Sequence, residues 1–490
     1  MLSRCSFNFE LRGFGFCPAP TPSLDIFFLA TVKDLMKIIL ALLLLTLLPT
    51  SLVAQSKLTV ESRPVVFNRV TVIDMTGAPL KPNMTVIVFG NRISAIGKTG
   101  KVRLPRNAQM IDASGKFLIP GLWDMHFHSE NYKDGRKILP VLVANGITGV
   151  RDMASPLEDV LRLRKEVDAG DFVGSRMTVA GPILQGPLPF QMSLLRSIKN
   201  EREAKQVVAD LKKSGVDFLK VGDALPRDLY FVLAAEAKRQ GVSFVGHLPV
   251  GVNAAEASNA GQRSIEHFGS VRFHGMLLAC STREGELSQA VKNLLEAAKK
   301  GDESADTKLF RAELIKPLLD SFSDEKAAAL FARFARNYTW QTPTLIALRS
   351  VWSSKRKELS EEDNRYADRI WQKYLEMVKA MRREGVMILA GADLPLENTV
   401  SPLHEELSLL VQAGLTPMEA LQSATHNPAR FLKLKSFGTV ERGKVADLVL
   451  LDANPLDDIA NTKEISAVVA GGRYLSKEKL QEMLRGIEPR

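Results

Sequence analysis

Three features of the sequence predict an α/β fold in which a (β/α)8 TIM-type barrel carries a small discontinuous β-sandwich domain formed from both chain ends. Eight short apolar β runs alternate with helical stretches between Leu118 and residue 436. Hairpin-like β segments precede that region and further β segments follow it. Polar side chains suited to metal binding stand at the ends of the runs, where such barrels gather their sites. At 490 residues, 45% hydrophobic and 24% charged, the chain is too long for one ordinary core and has the composition of a soluble globular protein. The net charge of +10 is spread over the whole length, with Lys and Arg interleaved with Glu and Asp as in Arg382-Arg383-Glu384. That pattern describes a solvated surface and excludes a nucleic-acid partner.

Met36-Lys-Ile-Ile-Leu opens a short basic start and an apolar run, followed by Pro49 and a small-residue site ending at Ala54. This reads as a secretory signal over 36–54, which makes residues 1–35 a non-native upstream extension and implies a periplasmic or secreted protein. The run is short for a membrane span, so no stable membrane anchor is expected after cleavage. Of the three cysteines, Cys5 and Cys17 precede the cleavage site, and Cys280 alone would remain, too few for an internal disulfide.

Residues 55–117 read as the first part of the β domain. Val65-Val66-Phe67, Val70–Ile73, Met84–Phe89 and Arg92–Ile96 are punctuated by Gly77-Ala-Pro and Gly90-Asn91, the spacing of hairpins. The barrel is expected over 118–436. Its strands are Leu118–His128, Thr148–Met153, Met177–Ile183, Phe218–Gly222, Ser243–Leu248, Ser264–Phe268, Trp340–Leu348 and Met387–Leu394. Helical patterns such as Ser197–Ser214, Pro226–Gln240 and Asn253–Ala260 lie between them, closed by Gly215, Gly241 and Gly261. Residues 273–337, rich in Leu, Ala and Lys, read as a helical insertion on the active face, either a lid or an embellishment. Residues 437–477 return to β with Ala446–Asp452 and Ile465–Ala470, completing the small domain by pairing with the N-terminal hairpins, and 478–490 form a tail.

The strand ends carry His126 and His128 on the first run, Lys220 on the fourth, His247 on the fifth, His267 on the sixth and Asp393 on the eighth. In a strand, residues two apart share a face, so His126 and His128 can converge on one cation. Lys220 interrupts the apolar run Phe-Leu-Lys-Val, and a buried ammonium needs a partner. Either it pairs with Asp217 or Asp223, or it is carbamylated by carbon dioxide to an anionic oxygen donor. Glu266 alternates with His267 and is expected to point away from the cations.

The ensemble resembles the binuclear form of the amidohydrolase superfamily. The likeness rests on that ligand set, on Ile119-Pro-Gly-Leu-Trp-Asp-Met-His-Phe-His, Ala144-Asn-Gly-Ile-Thr-Gly-Val-Arg-Asp, Gly391-Ala-Asp, Ser423-Ala-Thr-His-Asn-Pro-Ala and Gly443-Lys-Val-Ala-Asp-Leu-Val, and it spans Val65 to Tyr474. The branch it is most similar to is that of imidazolonepropionase-like hydrolases and Xaa-Pro dipeptidases. The resemblance implies two divalent ions, zinc suiting the donors best. His126, His128 and Asp393 would hold one, His247 and His267 the second, and carbamylated Lys220 would bridge them. It implies a hydroxide shared by the ions attacking a carbonyl, with Asp393 as general base and then acid. The expected enzyme is an exported amidohydrolase of a small molecule, an Xaa-Pro dipeptide or N-acyl amino acid. The rivals are a mononuclear deaminase, a cyclic amidohydrolase, a lactonase or phosphoesterase, and a non-enzymatic scaffold. Arg151 is a candidate for a substrate carboxylate, against an ion pair with Asp152 or another neighbour. His274 and His404 are further candidates near substrate, whereas His426 reads as structural and Cys280 as a small buried hydrophobe. A homo-oligomer is compatible with all of this.

Overall fold

The computed structural model describes residues 63–132, 134–187, 192–270, 273–300, 302, 304–397 and 399–485. The signal-like stretch and the upstream extension lie outside the described residues. Among the described residues, no helix is long and apolar enough to cross a membrane.

The strands run in chain order as β1 (Val65–Val72), β2 (Lys81–Phe89), β3 (Arg92–Lys98), β4 (Gln109–Asp112), β5 (Phe117–Pro120), β6 (Leu122–Phe127), β7 (Ile147–Asp152), β8 (Arg176–Val179), β9 (Ile183–Gln185), β10 (Leu195–Ser197), β11 (Phe218–Val221), β12 (Ser243–Gly246), β13 (Ser264–Glu266), β14 (Trp340–Thr342), β15 (Leu448–Leu451), β16 (Ile465–Ala470) and β17 (Arg473–Ser476). Strands from the two chain ends build one sheet, ordered β17-β16-β15-β5-β1-β2-β3, with β4 alongside β1. The expected sandwich is therefore a single eight-stranded sheet. It joins the ends because β5 pairs parallel to β1 and antiparallel to β15. The sheet also meets its own far side, where the Ile93 amide donates to the Lys444 carbonyl and the Ala446 amide to the Asn91 carbonyl. Val65, Phe67, Val70, Val72, Leu448 and Leu450 form the core this curvature encloses.

The middle of the chain is α/β and TIM-barrel-like. One parallel sheet runs β10-β9-β11-β12-β13-β14 and another β6-β7-β8. Backbone hydrogen bonds link them on both sides. Asp217 N donates to Val179 O at 2.9 Å, and the eighth run joins β14 to β6 through Leu389 N to Gln341 O and Met125 N to Ala390 O, both 2.9 Å. Trp123, Met125, Phe218, Val245, Trp340, Leu389 and Phe431 fill the interior beneath the strand ends. Helix caps follow the local code: Asn200, Asn253 and Ser323 accept from the third residue on, and Gly215 and Gly241 close their helices at positive φ.

Where the strands differ from expectation, a specific backbone constraint is responsible. The first expected run breaks at Gly121, where an added Cβ would lie 2.1 Å from Thr148 Oγ1; β5 stays with the small sheet and β6 enters the barrel. Gly181, at φ 72°, splits the third run. The seventh ends at Thr342, because Pro343 and Thr344 (φ 49°) turn the chain into a helix from Leu345 to Lys355. The eighth forms an isolated bridge at Ile388 rather than a continuous strand, and it ends in Asp393 at φ 51°. Five helices, from Gly275–Cys280 to Asp324–Asn337, intervene between β13 and β14.

His404, placed by the sequence near substrate, is instead a clasp between barrel and C-terminal segment. Its Nε2 meets the Asn145 carbonyl at 3.1 Å and its Nδ1 the Thr462 hydroxyl at 3.0 Å. Burial lowers its pKa to about 4. An unfolded histidine titrates near 6.5, so the unfolded chain takes up this proton first. The contribution is complete above pH ~6.5 and is lost as the pH falls towards ~4, about 3 kcal/mol in all. Urea unfolding at pH 7.5 and 4.5 should show a smaller loss on acidification for His404→Gln than for the parent chain.

Candidate metal centre

Four imidazoles, one lysine and one carboxylate meet where the strands end. His126 is the centre of the group and has no exposed surface. Its Nε2 lies 3.6 Å from Asp393 Oδ1 and 3.3 Å from Lys220 Nζ. His128 Nε2 is 3.1 Å from the same Asp393 oxygen, and His267 Nε2 is 3.4 Å from Asp393 Oδ2. The His247 and His267 rings sit 5.3 Å apart, centroid to centroid. Among the described residues, His126, His267 and Asp393 form the tightest set, with ligand atoms all within 4.8 Å of one another.

Each ring is oriented by a bond at its other nitrogen. Nδ1 of His126 meets Glu266 Oε2 at 3.1 Å, and that of His128 meets the Ala154 carbonyl at 3.3 Å and Glu130 at 3.4 Å. In His247 it meets Asp223 Oδ2 at 2.7 Å, and in His267 it meets Thr344 Oγ1 at 2.5 Å. An imidazole whose Nδ1–H is given to an acceptor presents a lone pair at Nε2, the form that binds a cation. His247 Nε2 is buried without a hydrogen-bond partner. An orphaned lone pair beside a carboxylate and three further imidazoles fits a divalent ion of the zinc type.

The electrostatics show the same convergence. Burial would push the Asp393 carboxyl up, yet His126, His267 and His128 hold it well below the usual range. Burial alone would lower His128, but Asp393 and Glu130 raise it to about 10. Lys220 is lowered by burial. The two ion-pair partners considered for it are occupied elsewhere: Asp217 binds Arg164 at 2.8 Å, and Asp223 binds His247 and Ser270.

Backbone geometry sets these positions. His267 and Asp393 both have φ 51°, a left-handed conformation costly for residues with a Cβ and characteristic of functional sites. Glu266 and His267 do not face opposite sides as strand alternation would have them, although Glu266 stays on the Nδ1 side of His126, away from Lys220 and Asp393. Strict alternation stops at Glu266, the last residue of β13, so both side chains reach His126, Glu266 at Nδ1 and His267 across the ring at 4.4 Å between centroids. Asp124, two residues before His126, also escaped notice: it accepts from the amides of His126 and Ala392, both at 3.0 Å, and ties the first and eighth strand ends together.

Of the two readings of Arg151, the structure shows the ion pair. Arg151 is fully buried below the site, paired with Glu266 at 2.9 Å rather than with Asp152. His274 is also buried, with Nε2 on the Leu309 carbonyl at 2.8 Å, and burial lowers its pKa to about 4. The insertion approaches the centre through Phe273 instead, whose ring stands edge-on to His267 at 6.4 Å. Cys280 is buried, its thiol pushed up to about 12. His426 is half-buried at the start of the helix His426–Phe431.

A protein-family model described as "Amidohydrolase family" matches residues 117–475. Over 422 residues the chain is 24% identical to an adenine deaminase of Rubrobacter xylanophilus, a match covering 83% of this chain and 56% of that one. It is 40% identical over 76 residues to an imidazolonepropionase of Pyrobaculum arsenaticum, 15% of this chain and 19% of that one. The chain thus spans about half the length of the first of these curated relatives, and less of the second. A solved Xaa-Pro dipeptidase with methionine bound in its active site shares the fold, with a TM-score of 0.62 at 19% identity, covering 84% of this chain and 100% of that chain.

Gly391 tests how closely the centre is packed. A Cβ there would lie 2.7 Å from both His126 Cβ and His126 N, which cannot yield without moving the ligand. Gly391→Ala should leave a folded chain with turnover and metal retention each lowered about 10²-fold, the scale expected for a misplacement near 1 Å. Elemental analysis after dialysis against a chelator, alongside circular dichroism, checks this.

Proposed function

Because the chain belongs to the amidohydrolase family, we propose that it is an exported, metal-dependent hydrolase of a C–N bond, amide or peptide, in a small substrate. The observation that carries this reading is that four imidazoles are each tied off at Nδ1, three of them with Nε2 within 3.6 Å of Asp393 and the fourth, His247, with a buried Nε2 that has no hydrogen-bond partner. His126, His128 and Asp393 would hold one ion and His247 and His267 a second, with Lys220 carbamylated between them. Zinc suits the nitrogen and oxygen donors. The bound ions supply Lewis acidity and make water a competent nucleophile near neutral pH.

The chain's own groups do the rest. Asp393 is the one carboxylate shared by three imidazoles, which keep it ionised and so able to accept a proton from the attacking water. It then delivers that proton to the leaving nitrogen. The Phe273 ring, from the insertion, stands edge-on to His267. The hydrogen bonds linking the two central sheets support a closed (β/α)8 barrel, which would bring all six side chains to one rim. An Xaa-Pro dipeptide or N-acyl amino acid is the substrate class we favour, on the likeness in fold to the Xaa-Pro dipeptidase. A mononuclear deaminase is the second reading, favoured by the compactness of the trio His126, His267 and Asp393 and by the adenine deaminase match.

Metal analysis of the purified protein, with a screen of Xaa-Pro dipeptides, N-acyl amino acids, lactones and adenine, separates the readings. Two ions per chain and release of an amino acid support the first. One ion at full activity with release of ammonia from adenine supports the second.

The lysine gives the sharpest variant. Unmodified, its ammonium would repel two cations, so only the carbamate serves as a ligand. Lys220→Ala and Lys220→Arg should each cost at least about 10³-fold in turnover, on the scale of losing a principal catalytic group. Added short carboxylic acids should restore part of the Lys220→Ala activity by supplying the missing oxygens. An active Lys220→Arg enzyme would sink the bridged reading. Export is checked separately: N-terminal sequencing of the mature protein should begin near Gln55.

A further inference from the structure

We propose that Glu266 and Arg151 are positioning residues for the metal centre, acting through His126 from inside the barrel. The inference rests on the metal-binding reading above and adds residues to it. Glu266 and Arg151 are fully buried, and neither reaches the space where substrate would sit.

Three bonds fix the Glu266 carboxylate. Oε2 accepts from His126 Nδ1 at 3.1 Å and from Arg151 Nη2 at 2.9 Å, while the Ser264 hydroxyl donates to Oε1. Arg151 is fixed more firmly still. Its Nε donates to the Met125 carbonyl at 2.6 Å, Nη1 to Ser264 Oγ at 2.9 Å, and Nη2 also to Thr342 Oγ1 at 3.2 Å. The guanidinium lies between the rings of Phe218 and Phe431, 5.7 and 5.2 Å from their centroids. Strands β6, β7, β13 and β14 are thereby joined by one pair of opposite charges directly beneath His126.

A barrel plug made only for stability would be cheaper in apolar residues, since a buried ion pair is seldom better than a hydrophobic filling. What the pair supplies that Leu or Met would not is an acceptor for the Nδ1 proton. That bond keeps His126 in the tautomer whose Nε2 carries the lone pair, and it prevents the ring from turning. Arg151 Nη2 binds the same Oε2 at 2.9 Å, so the oxygen that faces the imidazole Nδ1 is itself held in place. Acceptors placed behind metal-binding histidines typically account for about 10- to 100-fold in metal affinity.

The test uses the full chain stripped of metal and titrated with cobalt(II), read by its d–d absorption in competition with a chelator. Glu266→Gln keeps the shape and removes the charge. It should bind cobalt about 10- to 100-fold more weakly than the parent. Val143→Ala, in the helix Gly135–Ala144 outside the barrel interior, is the control for a purely structural loss. If Glu266→Gln loses more cobalt affinity than Val143→Ala, relative to the fall in melting temperature each causes in the metal-free chain, the positioning role stands. If it binds cobalt as the parent does, or loses no more than the control on that scale, the role is overturned while the metal reading survives. A parent chain that takes up no cobalt overturns the metal reading itself, and the proposal with it.

Discussion

The constraint on which the rest of the site depends is the burial of His126 between two opposed environments. Below the ring a carboxylate paired with a guanidinium receives Nδ1; above it Lys220 and Asp393 face Nε2. No water reaches either nitrogen, so both must be satisfied by the protein or by what the protein holds. The barrel solves this geometrically. Strand β6 delivers the ring, β13 and β7 bring the carboxylate and the guanidinium beneath it, and β11 and the eighth run bring the groups above. Each strand must end at a definite height for the layers to meet, and the left-handed residues His267 and Asp393 set those heights.

The same logic governs the other imidazoles. Each takes its Nδ1 partner from a different neighbour: a carbonyl for His128, Asp223 for His247, Thr344 for His267. A ring fixed on one side has little freedom left on the other, which lowers the entropy lost when a cation is captured. Three of the Nε2 atoms lie within 3.6 Å of the Asp393 carboxylate. The backbone strain at two ligand positions costs on the order of 1–3 kcal/mol each, tolerated because the surrounding core leaves those residues no other conformation.

Much of the fold and the meeting of six polar side chains at the strand ends were legible in the sequence because both depend on short-range patterns. A β run ending in His or Asp is visible in one dimension, and the alternation of strands and helices implies the closure that brings the ends together. What was not legible depended on backbone turns that have no signature. Positive φ at His267 turns its ring to the side that Glu266 already faces by alternation from Ser264, so that two consecutive side chains meet His126. Thr344, the partner of His267, stands in a turn that the sequence presents as a continuing strand. Arg151 and His404 were read as available for substrate because a charge or an imidazole near a strand end suggests function; the structure employs them inside, where long-range partners such as Glu266 and Thr462 satisfy them.

These displaced residues share a property with the ligands. Arg151, Glu266, Asp124 and His404 are all buried polar groups, and each joins segments distant in sequence. Leaving one partner of such a pair unpaired costs about 3–5 kcal/mol, a large share of a domain's stability. Alternative registers that would leave these groups unpaired are thereby penalised, while a purely hydrophobic interior would tolerate small slips of one strand against the next. A candidate metal centre whose side chains come from five strand ends needs that intolerance, because a slip of one residue would turn such a side chain to the opposite face. The buried polar network and the ligand set are in this sense one feature: the network selects the register, and only in that register do the imidazoles converge.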